Sequence, residues 1–311
     1  MSDNVIVTIR CLVYNHEPYI RQCLEGFVMQ KTNFTFEAIV HDDASIDGSA
    51  AIIKEYAEKY PDIIKPIYET ENQYSKHDGS LRRIMDSHTR GKYIAYCEGD
   101  DYWIDPLKLQ KQVDLLEGNP SASLCCGGYI QHQQGHEDVK QVLLCGTAKY
   151  FFFDLKDWIN RWITMPLTVV CRRDFLNEYN AKSYHYSRDI HLIYHLLKEG
   201  KGIYLSESLA VYNIHVGGVC SMVSKNINAI HSYNCYKEIY QMNHDPIMRK
   251  PYLRAIIARL RYPYINYSSW DLFKEGMKLS SRISEKINLI FSLYLPTCFI
   301  EKYIQLKKTL L

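Results

Sequence analysis

The sequence predicts an α/β protein: a mostly parallel sheet flanked by helices, followed by a helical C-terminal extension. Three observations carry this expectation. Through the first 120 residues, β-rich apolar runs alternate with segments of helical period. The first of them, residues 5–13, is a β-rich run suited to a strand buried on both faces. From residue 226 onward the pattern is helical alone.

Residues 5–13 (VIVTIRCLV) form the first strand, followed by a Tyr14-Asn15-His16-Glu17-Pro18 turn. Ile20, Cys23, Leu24, Phe27 and Val28 then recur at three- and four-residue spacing, which defines a helix. Residues 36–41 read as the second strand. Residues 42–48 read as a turn, with Asp47 as N-cap of a helix to Tyr60. A third strand at 63–68, a polar loop at 69–79 and a short helix ending at Gly91 lead to a fourth strand at 92–97. A helix at 107–117 is stopped by Gly118 and Pro120. Beyond it, 122–131 and 141–153 read as strands, and 154–162, 173–179 and 187–198 as helices. Short strands follow at 203–205 and 209–215. This order predicts a domain over 1–220 in two halves, 1–120 and 121–220. A helical region fills 221–311.

The chain has 311 residues, 47% hydrophobic and 23% charged, a globular composition that excludes a mainly disordered or fibrous chain. No apolar run reaches the roughly 18 residues of a spanning helix. The N-terminus lacks the basic start and apolar stretch of a signal peptide. Ten cysteines without a CxxC pair read as reduced core residues, Cys125 and Cys126 among them. The expectation is a cytoplasmic protein. The formal charge of +2 hides an asymmetry: residues 246–311 carry 12 Lys+Arg against 4 Asp+Glu, a net of +8, which leaves −6 on the first 245 residues. A basic segment on an acidic body points to an anionic surface or to a solvated helix face.

In open α/β sheets, ligands bind outside the carboxyl ends of the strands. Here the first strand ends at Tyr14-Asn15, the second at Asp42-Asp43, and the fourth at Glu98-Gly99-Asp100-Asp101. Up to five carboxylates on one rim repel unless a cation sits among them. Oxygen ligands suit Mg²⁺ or Mn²⁺, and Mg²⁺ is usually shared with substrate phosphates, so a diphosphate is the expected ligand. The blander reading is that acidic turns cap helices or face solvent. No GxGxxG or Walker-type loop follows the first strand, which argues against a dehydrogenase or a P-loop kinase.

The runs VTIRCLVYNHEPYI, EAIVHDDASIDGS and GKYIAYCEGDDYW, in this order and spacing, resemble an inverting family-two glycosyltransferase with the GT-A fold. The stretch EGDDYWIDPLKLQKQV resembles a bacterial branch that builds surface polysaccharides. The resemblance covers residues 4 to about 220. It implies that Tyr14 lines the base pocket, that Asp43 and Asp42 contact the base, and that Glu98 contacts the ribose. Glu98-Gly99-Asp100 stands at the DxD position, with Asp100 as direct metal ligand and Asp101 beside it. Glu replaces the usual first Asp, so roles among Glu98, Asp100 and Asp101 are open by one residue. SRDIHLIYHLLKEG resembles the helix start that carries the catalytic base, which makes Asp189 that base. A carboxylate there is favoured by the helix dipole, as is any ordinary N-terminal aspartate. LAVYNIHVGGVCS resembles a Tyr-x-x-His segment, which puts His215 on the metal or diphosphate, with Gly217-Gly218 suiting a mobile loop over the donor.

Trp103 reads either as a platform for a sugar ring or as core. Arg83, with Arg82 and Lys76, reads as a contact to the diphosphate side or as solvated charge. By analogy, 165–168 lies near the acceptor. The expected activity is metal-dependent, inverting transfer from a nucleotide-diphosphate sugar, a UDP-sugar first, to a glycan or lipid-linked glycan. Two alternatives stay open: a nucleotidyltransferase with a similar core, and a non-catalytic polysaccharide-assembly module. Nucleic acid is not an expected partner. Residues 283–311 are apolar and basic together, too short to span a bilayer. They read as a peripheral contact to the inner membrane face, as a helix folded back on the protein, or as a homodimer contact.

Overall fold

Within the computed structural model, residues 4–144, 146–186, 188–218, 224–261 and 269–294 are described. The chain divides into two compact units, one of residues 1–185 with 192–218, the other of 186–191 with 219–311.

The first unit is built on a mixed ten-stranded sheet. Its N-terminal strands are β1 (Val7–Val13), β2 (Phe36–Asp42), β3 (Ile64–Tyr68) and β4 (Tyr93–Tyr96), all parallel in the order β3-β2-β1-β4. Helices α1 (Ile20–Val28), α2 (Ser49–Lys59) and α3 (Ser80–His88) make the crossovers. The chain adds β2 and β3 on one side of β1 and then places β4 on the other. The order reverses between β1 and β4, and the crevice at such a switch point is where this class of sheet takes ligands. All seven residues of β2 are buried, as the apolar run required. Of its two buried acids, Glu37 is paired with Arg90 and accepts from Thr8 Oγ1 at 3.0 Å, and Asp42 ends the strand.

Beyond β4 the sheet changes sense. β9 (Val170–Arg172) runs antiparallel between β4 and β6 (Ala122–Gln133). β10 (Lys201–Ile214) lies parallel to β6, and β5 (Tyr102–Trp103) closes the edge antiparallel to β10. The expected mostly parallel sheet is therefore parallel throughout its first half and mixed in its second, where the β6–β10 pair is parallel and the pairs of β9 and β5 are antiparallel. The expected strand at 141–153 is two short ones, β7 (Val139–Gln141) and β8 (Tyr150–Phe153), antiparallel to β6 and β10 respectively. The two strands expected at 203–205 and 209–215 are one, β10, with register shifts around Leu205 and Ser208. The polar Ser206-Glu207-Ser208 break in the apolar pattern is this irregularity.

Helix α4 (Lys108–Gly118) follows β5, and α5 (Leu155–Asn160) begins with a capping box between Asp154 and Asp157. The helix expected at 173–179 is a 3₁₀ turn over Arg173–Leu176 and then α6 (Asn177–Asn180). α7 runs over Asp189–Glu199. Asp47 is not the N-cap of α2; Gly48 holds that position, and Asp47 Oδ1 accepts from the Ser49 amide at 3.0 Å.

The second unit is helical as expected: α8 (Lys225–Asn243), α9 (Arg249–Arg261), α10 (Ser269–Leu279) and α11 (Ile283–Tyr294). Tyr233, Tyr252, Ile256, Leu260, Leu272 and Leu289 form its core. Among the described residues no helix is long and apolar enough to cross a membrane. The seven described cysteines, Cys125 and Cys126 included, are free and buried; Cys145, Cys220 and Cys298 lie outside the described residues.

Candidate active site

The site forms where β1, β2 and β4 end on one edge. The β1–α1 turn and the β2–α2 turn are laced together by side chains. Asn15 takes a left-handed conformation, φ 57°, which asparagine tolerates better than most residues. Its amide donates to Ser45 Oγ and its Oδ1 accepts from the Ile46 amide, both at 2.9 Å. The His16 amide donates to Ser49 Oγ at 2.9 Å, and the Glu17 carboxylate accepts from the Gly48 amide at 2.9 Å. This lacing explains the polar composition of both turns. Tyr14, at the tip of the first, is 47% exposed, so its ring is open to a ligand.

The β4 strand runs into the acidic turn. Cys97 and Gly99 amides donate to the Arg10 and Leu12 carbonyls, at 3.2 and 2.9 Å, and carry the β1 pairing up to the edge. Asp100 then turns its carboxylate to two imidazoles. His215 Nε2, just past β10, lies 3.0 Å from Asp100 Oδ2, and His16 Nε2 lies 3.9 Å from the same oxygen. The His215 ring packs on Tyr19 with centroids 4.5 Å apart. The Asn213 side chain donates to the Asp100 carbonyl at 2.6 Å, which ties the end of β10 to the acidic turn. One carboxylate oxygen and an imidazole nitrogen are donors that suit Mn²⁺ or Mg²⁺. Among the described residues no three His, Cys, Asp or Glu side chains converge as a ready-made metal cage. A cation there would need ligands from a diphosphate, which is how Mg²⁺ is usually held.

His16 was not singled out by the sequence reading. Its signal is positional: it sits in the turn after a strand that ends on the ligand edge. The structure also shows why the middle residue of Glu98-Gly99-Asp100 is glycine. A Cβ there would lie 2.8 Å from Val13 Cγ2 and 2.9 Å from His16 Nδ1. Asn213 was missed too, because its contact depends on β10 reaching back to the acidic turn.

Several expected site residues have other tasks. Asp101 is 5% exposed, and its Oδ1 accepts from the Asn213 amide at 2.9 Å. Burial, then the nearby Asp100 charge, pushes its carboxyl well up. It is a buried strap to β10. Asp43 is 4% exposed, with Oδ1 accepting from the Gln73 amide at 2.6 Å and Oδ2 from the Tyr74 amide at 3.0 Å. It holds the loop after β3 against the β2 end. Trp103 is 1% exposed, donates Nε1–H to the Leu167 carbonyl at 2.8 Å and meets Phe27 edge-on. The core reading holds, and the ring has no free face for a sugar. Leu167 and Thr168 are likewise core, while Met165 and Pro166 are half-buried.

Asp42 is buried with Oδ1 unpartnered, and burial raises its carboxyl against the pull of Ser45. Glu98 is half-buried at the edge. Arg82 stacks over Tyr179 at 4.1 Å and bonds to Asn180 Oδ1 at 2.9 Å, and Lys76 pairs with Glu71 at 3.2 Å. Arg83 stands exposed on α3 and donates to the Asp78 carbonyl at 2.8 Å. Asp189 opens α7 within the second unit. Desolvation raises its carboxyl from the usual range, opposed by the Ile190 amide, Arg188 and His191. The loop expected to be mobile after Gly217-Gly218 lies outside the described residues from 219 to 223.

A parallel half-sheet with a switch point on the edge that carries an Asp-His pair defines an α/β fold of the kind that takes ligands at that edge, without a glycine-rich phosphate loop. The sequence profile of glycosyl transferase family 2 matches residues 9–179, more than half of the chain, and the protein belongs to that family. An uncharacterised Mycobacterium tuberculosis protein is 45% identical over 119 residues, which covers 38% of this chain and 34% of that protein. The chain thus spans about a third of that relative's length. The putative teichuronic acid biosynthesis glycosyltransferase TuaG of Bacillus subtilis is 25% identical over 239 residues, covering 76% of this chain and 90% of TuaG. Among solved structures, Staphylococcus aureus TarS in complex with UDP-GlcNAc superposes with a TM-score of 0.60 at 16% identity, over 93% of this chain and 80% of TarS. The mannosyltransferase PcManGT of Pyrobaculum calidifontis, in complex with GDP-Man and Mn²⁺, superposes at 0.51 and 16% identity, over 92% of this chain and 85% of that one. At these identities the likeness establishes the GT-A fold alone.

Proposed function

We propose that the protein moves a sugar from a nucleotide-diphosphate donor to an acceptor hydroxyl with inversion, assisted by a divalent cation. The observation that carries this is the Asp100 carboxylate at the switch-point edge, bonded to His215 and flanked by His16. Asp100 and His215 would hold the cation, whose charge, once bound, favours departure of the diphosphate. Tyr14 walls the base, Asp42 lies beneath it and Glu98 takes the ribose. Arg83 supplies a cation to the sugar–diphosphate side. Asp189 accepts the proton of the acceptor hydroxyl. A carboxyl raised by desolvation is a better base than an ordinary aspartate, provided that it stays ionised at working pH.

The UDP-GlcNAc bound by TarS supports a UDP-sugar as donor, and the Mn²⁺ of PcManGT supports the cation. The name of TuaG supports a surface glycan, or its lipid-linked precursor, as acceptor. A nucleotidyltransferase would want a phosphate loop after β1, and the Asn15–Gly48 lacing occupies that turn instead.

The test is donor calorimetry with Mn²⁺ paired with a transfer assay. Asp100→Ala should abolish the cation-dependent part of donor affinity. Asp189→Asn should keep donor binding and slow transfer by about 10²–10⁴-fold. Donor affinity indifferent to both chelator and Asp100→Ala would remove the cation. Undiminished turnover in Asp189→Asn would remove the base.

A further inference from the structure

Helix α11 is apolar on two opposite sides, and only one of them is used inside its own unit. Leu289 is fully buried and Ser292 nearly so, while Leu293 packs against the same core. Leu289 fits against Gly276 of α10, where a Cβ would come within 2.7 Å. These contacts anchor the helix. On the other side Ile283, Ile287, Ile290, Phe291 and Tyr294 are 78, 44, 43, 51 and 70% exposed. Helical spacing gathers the five into an arc of about 100°, the width of a core-facing stripe. An outward helix face is ordinarily polar, so this stripe awaits a partner.

The charges beside the stripe say which partner. Arg282 and Lys286 are exposed at the start of the helix, and Lys286 flanks the stripe. Glu285, the one acid of α11, is spent on Arg249 at 3.0 Å. Residues 246–311 as a whole carry +8. A second copy of this chain fits poorly. A 12-residue helix is about 18 Å long. With its five side chains 43–78% exposed, the stripe offers on the order of 500 Å², against about 800 Å² per partner in a stable interface. A two-fold pairing would also bring the same cations together. An anionic lipid surface needs no such area: the apolar stripe enters the headgroup boundary and the cations meet the lipid charge. We infer that α11 is a peripheral membrane-docking helix selective for anionic lipid. This does not depend on the active-site reading and fails or stands separately.

The experiment is vesicle flotation of the full chain, with phosphatidylcholine alone and with roughly one-third phosphatidylglycerol. The protein should float with the anionic vesicles and stay behind with the neutral ones, and high salt should weaken the binding. Ile287→Asp with Phe291→Asp should lower the vesicle-bound fraction at least about tenfold, and Lys286→Glu by less. Far-UV circular dichroism and the melting temperature of each variant report that the fold is kept. Three results would overturn the proposal. They are absence from the anionic vesicles, unchanged flotation of the double variant, and a dimer by light scattering that the double variant loses while the parent does not float.

Discussion

Lys108 opens α4 with its side chain fully buried. Its ammonium has no hydrogen-bond partner and lies 4.0 Å from the Trp103 ring centroid. Around it are Cys97, Cys125 and Cys126, whose thiols burial keeps protonated, so none supplies a counter-charge. A desolvated cation–π contact returns about 2 kcal/mol, less than the cost of stripping water from an ammonium. Burial accordingly brings the Lys108 pKa down to about 7. The folded value is below the unfolded one of about 10.4. Between the two, the unfolded chain holds a proton that the folded chain lacks, so stability rises with pH, by up to about 1.4 kcal/mol per unit. Below about pH 7 the whole penalty applies, on the order of 5 kcal/mol. Lys108→Met keeps most of the stem and removes the charge. The variant should be more stable than the parent near neutral pH, by about 2–4 kcal/mol after local relaxation. The gap should close as pH approaches 10, near the unfolded pKa. Urea unfolding at steps from about pH 7 to about pH 10, with the m-value held constant, measures this directly. Parallel pH profiles, or a variant less stable at pH 7, would show that the ammonium is solvated or paired and would refute the argument.

Two further perturbations probe the ligand edge. Gly99→Ala forces a methyl against Val13, His16 and Ile20; it should cost about 1–3 kcal/mol in urea unfolding and weaken donor binding by calorimetry. An unchanged midpoint would mean that His16 turns aside at no cost. Asp43→Ala leaves the Gln73 and Tyr74 amides without their acceptor and should cost about 1–3 kcal/mol. Amide exchange at those two positions should quicken, and protection as slow as in the parent would assign the loop another anchor.

The N-terminal half was legible because two signals agreed there. Its strands are apolar runs bounded by turns, and β1, β2, β3 and β4 fall within a residue or two of where the pattern puts them. β5 and β9 were not legible. They are two and three residues long, and they count as strands only through partners distant in sequence, Val211 for Tyr102 and Ile94 for Cys171. No local periodicity can report such pairing. The site divides along the same line. That the acidic turns share one edge follows from parallel strands and could be read directly. Which way each carboxylate turns depends on β10 and on the loop after β3. Asp43, Asp101 and Trp103 therefore took inward positions that their spacing did not reveal.

That inward turn changes the electrostatic argument for a cation. Five carboxylates on one rim, all ionised and all facing the cleft, would demand positive charge. The fold removes much of that demand itself. Two backbone amides hold Asp43, and the Asn213 amide holds Asp101, whose carboxyl burial pushes well up. Burial also raises Asp42. What faces the cleft is chiefly Asp100, already bonded to His215, with Glu98 beside it. Charge repulsion within the empty protein is then a weak reason for a metal. The stronger reason is that a diphosphate approaching this edge brings more negative charge than His16 and His215 can balance. The cation should consequently bind with the donor rather than before it. Calorimetric titration of Mn²⁺ into the protein alone should give little heat, and titration in the presence of nucleoside diphosphate a saturable isotherm. Equal Mn²⁺ affinity with and without nucleotide would return the argument to a preformed acidic site.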